Sequence, residues 1–385
     1  MTLPLPLIAE DGAARLLARA WLALETAAPG PAERPPGLIV ALPPAWGNRY
    51  QALLYGAAGR HRRAVVGVAR PEDLRHVAWP GPVILHAHWF AGLFAECRDE
   101  AGAMARLGRI RAEIAAFRDR SGARLLWTAH NVFPHGNRFP RAFHALRQWI
   151  FESFDALHVM DAAHVPILEA AFGRKAPPHV VVPHMTYAGS LPDCIDRAAA
   201  RAHHGLPPEA FVFGGFGAIR AYKGFERLLA ACDRIAATGP VPVAAILGGQ
   251  PGDAAAVRRL VLGWDGHPGV RLVLRQIPDH EIQYLHHAAD AMVLPYDETL
   301  NSGAAFMAAS FGKPVLMPRG PAAAALEGLG VIRFDPADPG ALEAAMRAAI
   351  AGRRGRDDPA TRERLRPGAV SAAFFAALDG LWPAG

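Results

Sequence analysis

Short runs of consecutive apolar residues recur along nearly the whole chain, and a stretch with helical spacing separates most of them. In the first half the runs fall at 38–42, 64–68, 83–86, 124–128, 156–160 and 180–183; in the second, at 211–216, 243–247, 270–274, 291–294, 315–317 and 331–334. A strand that is apolar at successive positions, rather than at every second one, is buried on both faces. Helices laid on both sides of a parallel sheet achieve this. Helical spacing occurs between the runs at 101–118, 141–151, 224–236, 254–262, 279–288, 302–311 and 339–351. The pattern predicts the α/β class with doubly wound parallel sheets.

The runs form two blocks, and 385 residues exceed the roughly 250–300 that one core accommodates. Two Rossmann-like domains are therefore expected, 1–190 and 191–385, parting at the segment SLPDCID. A charged, glycine- and proline-marked stretch at 352–366 reads as a solvated linker before a last apolar helix around 372–381. With 51% hydrophobic and 20% charged residues, the chain is not intrinsically disordered. Three distant cysteines, Cys97, Cys194 and Cys232, exclude a disulfide scaffold and a cysteine-based zinc module. No apolar run reaches the roughly 18 residues of a spanning helix. The N-terminal MTLPLPLIAEDG lacks the basic start of a signal peptide. A cytoplasmic protein is expected. The net charge of +6 asks for an anionic partner, a phosphorylated small substrate or an anionic membrane surface. Zinc-finger spacing, a basic heptad region and the aromatic motif of an RNA-binding sheet are all missing, so nucleic acid is not expected.

Open α/β sheets bind ligands beyond the carboxyl ends of their strands, so polar residues just after strands are the candidates. With two such domains, the expected place is the cleft between them. The densest segment is FVFGGFGAIRAYKG. A strand ends at Gly215, Phe216 and Gly217, then Arg220 and Lys223 follow, and Gly224 opens a helix. Glycine lets backbone approach a ligand closely, and a helix N-terminus favours an anion. Two cations at the same place make a diphosphate site. A dinucleotide fingerprint would need its third glycine at Arg220, where a long side chain cannot replace it. Farther on, Asn301, Ser302 and Gly303 start a helix and offer N–H donors and short polar groups; an ordinary helix cap is the alternative.

In the first block, His86 and His88 are two apart on a strand and share a face; His88, nearer the carboxyl end, is the candidate. His130 and His135 follow the strand 124–128 in TAHNVFPH. Their spacing does not make a helical metal-ligand pair, because Pro134 opposes a helix there. His184 ends HVVVPH, Asn48, Arg49 and Tyr50 follow the first strand, and Asp161 reads as a helix cap.

GFGAIRAYKGFERLL resembles the diphosphate loop of GT-B glycosyltransferases, especially glycosyltransferase family 4. The resemblance continues through Ile246, Leu247, Gly248 and Gly249, and through Arg275, Gln276, Ile277 and Pro278. It implies two Rossmann-like domains facing a cleft and a terminal helix that crosses back to the first. It places the donor diphosphate on Gly217, Arg220 and Lys223, the base beside the backbone at Ile277, and the donor sugar near Glu298, Asn301, Ser302 and Gly303. His130 lies by the transferred sugar, with His88 and His135 beside it as catalytic candidates. One departure stands out: Met307 and Thr299 occupy the two carboxylate positions of the family, and Glu298 is one place off the first. The LNSG-type loop is shared by a set of relatives in bacterial exopolysaccharide synthesis.

The activity implied is transfer of a sugar from a UDP- or GDP-sugar to a glycan or polyprenyl-diphosphate-linked acceptor, in cell-surface or exopolysaccharide synthesis. Neither cofactor nor metal is expected, because Arg220 and Lys223 supply the positive charge and no Asp-x-Asp motif occurs. Arginines and aromatics mixed at 137–151 and 106–120 suggest peripheral contact with an anionic membrane, at the inner face of the cell membrane. A nucleotide-sugar epimerase or a non-catalytic subunit of the same fold are the alternatives, the latter on account of Met307.

Overall fold

The computed structural model describes residues 6–9, 12–27, 35–45, 48–134, 136, 138–297 and 299–382. The expected runs all become strands, with ends shifted by a residue or two. They are β2 (Gly37–Leu42), β3 (Arg63–Val68), β4 (Val83–Ala87), β5 (Arg124–Thr128), β6 (Ala156–Val159), β7 (His179–Val181), β8 (Phe211–Phe216), β9 (Val243–Gly248), β10 (Val270–Val273), β11 (Ala291–Val293), β12 (Val315–Pro318) and β13 (Val331–Phe334). A strand too short to show as a run, β1 (Leu7–Ile8), joins the edge beside β3. The helix Ala13–Ala27 was likewise not expected.

The strands make two sheets, ordered β1-β3-β2-β4-β5-β6-β7 and β10-β9-β8-β11-β12-β13. Every pairing is parallel. Apart from the short edge strand β1, each sheet reverses its direction of growth once. In the first, β2 lies between β3 and β4; in the second, β8 lies between β9 and β11. The crevice beyond the carboxyl ends at such a reversal is where open α/β sheets take ligands. Two crevices follow, one in each unit.

The chain crosses from one compact unit to the other between Met185 and Thr186, and returns between Arg366 and Pro367. This corrects the expected break at 190/191. Thr186 N–H already donates to Leu365 O at 2.7 Å, and Tyr187 N–H to Ser310 Oγ at 2.7 Å, both in the second unit. The stretch 352–366 is not a free linker either. Asp358 caps the helix Pro359–Arg364, as Asp followed by Pro favours. Gly330 N–H donates to Arg356 O at 2.8 Å, and Arg362 donates to Ala309 O at 2.8 Å. Gly355 lies so close to β13 that a Cβ there would sit 2.1 Å from Val331 O.

The last helix, Pro367–Leu381, belongs to the N-terminal unit. It buries Val370, Phe374, Phe375 and Leu378. Arg63 and His61 hold its Asp379, at 2.6 and 2.8 Å. Ser371 Oγ donates to Leu54 O at 2.7 Å and accepts from Ala57 N–H at 2.8 Å. The mixed basic and aromatic segment is sorted by the fold: Phe139, Phe143 and Trp149 are buried, while Arg138, whose guanidinium lies 5.0 Å over the Phe139 ring, and Arg141 are exposed. Among the described residues no helix is long and apolar enough to cross a membrane.

Ser371→Ala removes both of its bonds inside a buried contact and leaves Ala57 N–H without its acceptor. It is expected to lower stability by roughly 1–3 kcal/mol, read as a lower urea midpoint. An unchanged midpoint would show that the apolar face and Asp379 hold the helix without help from Ser371.

Candidate functional site

In the second unit, β8 runs into a corner with no side chain. Gly217 has φ +124° and donates to Gly248 O at 3.0 Å. A Cβ on Gly249 would lie 1.9 Å from Gly217 O, and a Cβ on Gly224, at φ +63°, would lie 2.3 Å from Pro295 O. Ile219 N–H bonds Gln250 O at 2.8 Å, and Gly252 N–H bonds Ile219 O at 3.1 Å, so the loops after β8 and β9 run zipped together. Ile277 packs over Gly248, where a Cβ would meet its Cδ1 at 2.6 Å. Gly215 serves packing rather than ligand approach: its missing side chain makes room for Leu247, Phe225 and Leu228.

Lys223 turns its ammonium into this corner. It is buried, and a Cβ on Gly217 would lie 2.8 Å from its Nζ. Nζ donates to Tyr296 Oη at 3.0 Å and sits 4.6 Å from the centre of the Tyr296 ring. Burial acts to lower the Lys223 pKa, but the phenols of Tyr296 and Tyr222 outweigh it and hold the group above its ordinary value. Asp297 N–H donates to Tyr222 O at 2.9 Å, and Arg227 pairs with Asp297 at 2.8 Å. The loop after β11 is thereby tied to the loop after β8. That loop ends in Ser302, whose Oγ caps the helix Gly303–Ser310 by accepting from Ala305 N–H at 3.2 Å. Asn301 is half-buried beside it.

Arg220 points elsewhere. Half-buried, it lines an open depression of about 190 Å³ with Arg227, Arg259, Glu226 and Asp297. Its charge is still felt at Lys223. Met307 is buried in the helix Gly303–Ser310. Glu298 and His135 lie outside the described residues.

In the first unit, strand ends bring histidines together. His88 follows β4, His130 follows β5 and His184 follows β7; all three are buried. Tyr50, from the helix Arg49–Leu54 that Asn48 caps, places its ring 5.0 Å from both His130 and His184. Trp89 stacks on His130 at 3.8 Å. Beneath them lie His86, Thr128 and His158, with Tyr55, which follows the helix Arg49–Leu54. Sequence reasoning set His86 aside and missed Thr128, His158 and Tyr55 altogether. A signal existed: three neighbouring strands, ILHA, LLWT and ALHV, each carry one polar residue in an apolar run. Asp161 accepts from Ala163 N–H at 2.8 Å, ahead of the helix His164–Phe172.

These imidazoles are neutral near pH 7. Burial pushes His158 and His184 down to about 4. It also holds His86, His88 and His130 well below the ordinary range, and each of these also feels at least one neighbouring histidine. For His130 the buried guanidinium of Arg147, stacked 4.5 Å over Trp127, acts the same way. Among the described residues no group of three or more His, Cys, Asp or Glu side chains is placed to hold a metal ion.

Comparison with known proteins places both units. Residues 210–351 match the family described as Glycosyl transferases group 1. Sucrose-phosphate synthase from Thermosynechococcus elongatus has the same two-domain fold, with a TM-score of 0.66 at 17% identity over 91% of this chain and 100% of that one. WaaG, a glycosyltransferase involved in lipopolysaccharide biosynthesis, superposes with a TM-score of 0.60 at 14% identity, over 90% of this chain and 100% of its own. Anabaena HepE, solved with UDP-glucose, gives 0.56 at 15% identity, covering 90% and 96%. At these identities the shared property is the GT-B fold. No curated protein sequence matches the chain.

The histidine cluster sets an acid limit on stability. The unfolded chain takes up these protons near pH 6.5, whereas folded His158 and His184 do so only near 4. Stability is therefore full above pH 6.5 and falls as the pH drops below it. Each of the two is expected to remove about 2 kcal/mol by pH 5, read by urea unfolding at pH 7 and pH 5. Equal stability at the two values would mean that the cluster takes up charge within the fold.

Proposed function

The chain carries a group 1 glycosyl transferase domain at residues 210–351 within a GT-B fold, and from that premise we propose that it moves a sugar from a nucleoside-diphosphate sugar to a glycan or lipid-linked acceptor. The observation that carries this reading is Lys223, a buried cation at the reversal point of the second sheet, beside two glycines at positive φ, Gly217 and Gly224. Charge accumulates on the leaving diphosphate as the glycosidic bond breaks. A cation already stripped of water and fixed in direction stabilises that charge without reorganising. Arg220, half-buried in the adjoining depression, adds positive charge that is felt at the same corner. Gly217 and Gly224 let the phosphates approach the backbone, and the first N–H groups of the helix Gly303–Ser310 take oxygens of the donor. Ile277 borders the place of the base.

UDP is the first candidate nucleotide, since HepE was solved with UDP-glucose; a GDP-sugar is the second. His130 meets hydroxyls of the transferred sugar as a neutral hydrogen-bonding group, with His88 behind it. Exposed arginines such as Arg138 and Arg141 suit an anionic acceptor, or an anionic membrane that carries one, and a role in cell-surface polysaccharide synthesis. No metal takes part in this reading, because the side chains themselves neutralise the diphosphate.

A thermal-shift titration with UDP and GDP tests the site. The wild-type melting temperature should rise with one of them, since a ligand bound only by the native state stabilises it. Lys223→Ala should abolish the rise and lower turnover of the matching sugar nucleotide by about 100-fold or more. A Lys223→Ala protein that binds as the wild type does would end the assignment.

A further inference from the structure

We propose that His130 is held in one tautomer by a one-way chain of hydrogen bonds beginning at the main-chain carbonyl of Val182, and that His158, Thr128, His86, Tyr55 and His88 act on sugar binding through it as positioning residues. The inference rests on the reading that His130 meets the sugar.

A neutral imidazole has one N–H and one lone pair, and a hydroxyl has one proton to give. The Val182 carbonyl can only accept, so His158 Nε2, 2.9 Å away, must donate. His158 Nδ1 is then a lone pair, and the Thr128 hydroxyl, at 3.0 Å, donates to it. That uses the only proton of Thr128, so its oxygen accepts from His86 Nε2–H at 2.7 Å. His86 Nδ1 in turn accepts from Tyr55 O–H at 2.8 Å. The Tyr55 oxygen accepts from His88 Nε2–H at 2.8 Å. Finally His88 Nδ1 accepts from His130 Nε2–H at 3.0 Å. His130 therefore carries its proton on Nε2, and its Nδ1 is the acceptor.

Reversing any single link would set two protons or two lone pairs face to face in a buried site. Reversing all of them would aim the His158 Nε2 lone pair at the Val182 oxygen. Burial opposes the remaining escape, an imidazolium that donates from both nitrogens. The polarity set at β6 and Val182 thus arrives unchanged at the loop after β5. A group bound at His130 Nδ1 must donate. A sugar hydroxyl does so; a fluorine or an ether oxygen at the same position does not.

Selective 15N-histidine labelling of the full chain reads this directly by two-bond proton–nitrogen spectra near neutral pH. The His130 signal is identified by its loss in His130→Gln. Wild type and Thr128→Ser should show His130 with Nε2 protonated and Nδ1 unprotonated. Thr128→Val keeps the shape of the side chain but offers neither donor nor acceptor, so both polarities become open and the His130 nitrogens should shift toward averaged values. Tyr55→Phe cuts the same chain at its other hydroxyl and should do likewise, which keeps the test available if one variant misfolds. With the sugar nucleotide that raises the melting temperature, kcat/KM should fall about tenfold in Thr128→Val and stay within about twofold in Thr128→Ser. Wild-type His130 protonated on Nδ1, or a Thr128→Val spectrum identical to wild type, overturns the proposal. A shifted spectrum with unchanged kcat/KM also overturns it, because His130 then does not meet the sugar; the donor assignment at Lys223 stands or falls separately, by its own nucleotide titration.

Discussion

An ammonium group removed from water needs partners that solvate it from fixed positions, and the corner around Lys223 is organised by that need. The phenol of Tyr296 accepts from it, and the same ring offers its face to the charge. Tyr296 is carried by the loop after β11, so solvating the cation also positions that loop against the one after β8. The backbone bond from Asp297 to Tyr222 and the Arg227–Asp297 pair repeat the link. The glycines follow from this arrangement rather than preceding it. Gly217 has no Cβ because Nζ occupies its space, and Gly224 has none because Pro295 O does. A loop that reads as a phosphate cradle is, before any ligand arrives, a cradle for its own lysine.

The first unit solves a different problem. Buried histidines are tolerable only when neutral and hydrogen-bonded, and here they satisfy one another. Thr128 and Tyr55 are the two hydroxyl groups between them, each giving one proton and taking one. A network of that kind has no slack: its members come from β4, β5, β6 and the helix Arg49–Leu54 with its following residue, so the strand register itself enforces the hydrogen bonds.

The two sheets could be read in the chain because parallel strands buried on both faces leave uninterrupted apolar runs, and all twelve expected runs became strands. The corner at 215–224 was readable for a related reason: glycines and cations clustered at a strand end have few structural uses. What escaped was whatever depends on contact between distant segments. Nothing local in the sequence pairs Tyr296 with Lys223, 73 residues earlier. Gly215 looked like a ligand glycine, but the residue that needs its space is Leu247, on the neighbouring strand. Phe139, Phe143 and Trp149 sat among arginines in sequence yet faced the core, since helical spacing places neighbours in sequence on different faces. The stretch 352–366 had a linker's composition, but Asp358 and Pro359 start a helix, and Gly355 lets the chain lie against β13.

The contrast in charge between the two crevices has a chemical logic. When a glycosidic bond to a diphosphate breaks, negative charge gathers on the phosphate oxygens while the sugar ring takes on oxocarbenium character. A fixed cation stabilises the first change and would oppose the second. Lys223 is a buried cation at a strand-end crevice in the domain that matches the glycosyl transferase family, whereas the buried guanidinium beside the histidines, Arg147, is turned to Trp127 and the Val132 carbonyl. The histidines of the other crevice, which a solvent-exposed setting would leave partly protonated near pH 6.5, are driven neutral by burial and by one another. Neutral imidazoles can recognise hydroxyl groups through direction alone, which is what the proposed role of His130 requires. Polarity in place of charge is useful only if the direction of each N–H is fixed, and a carbonyl at one end of a closed series of donors and acceptors fixes it.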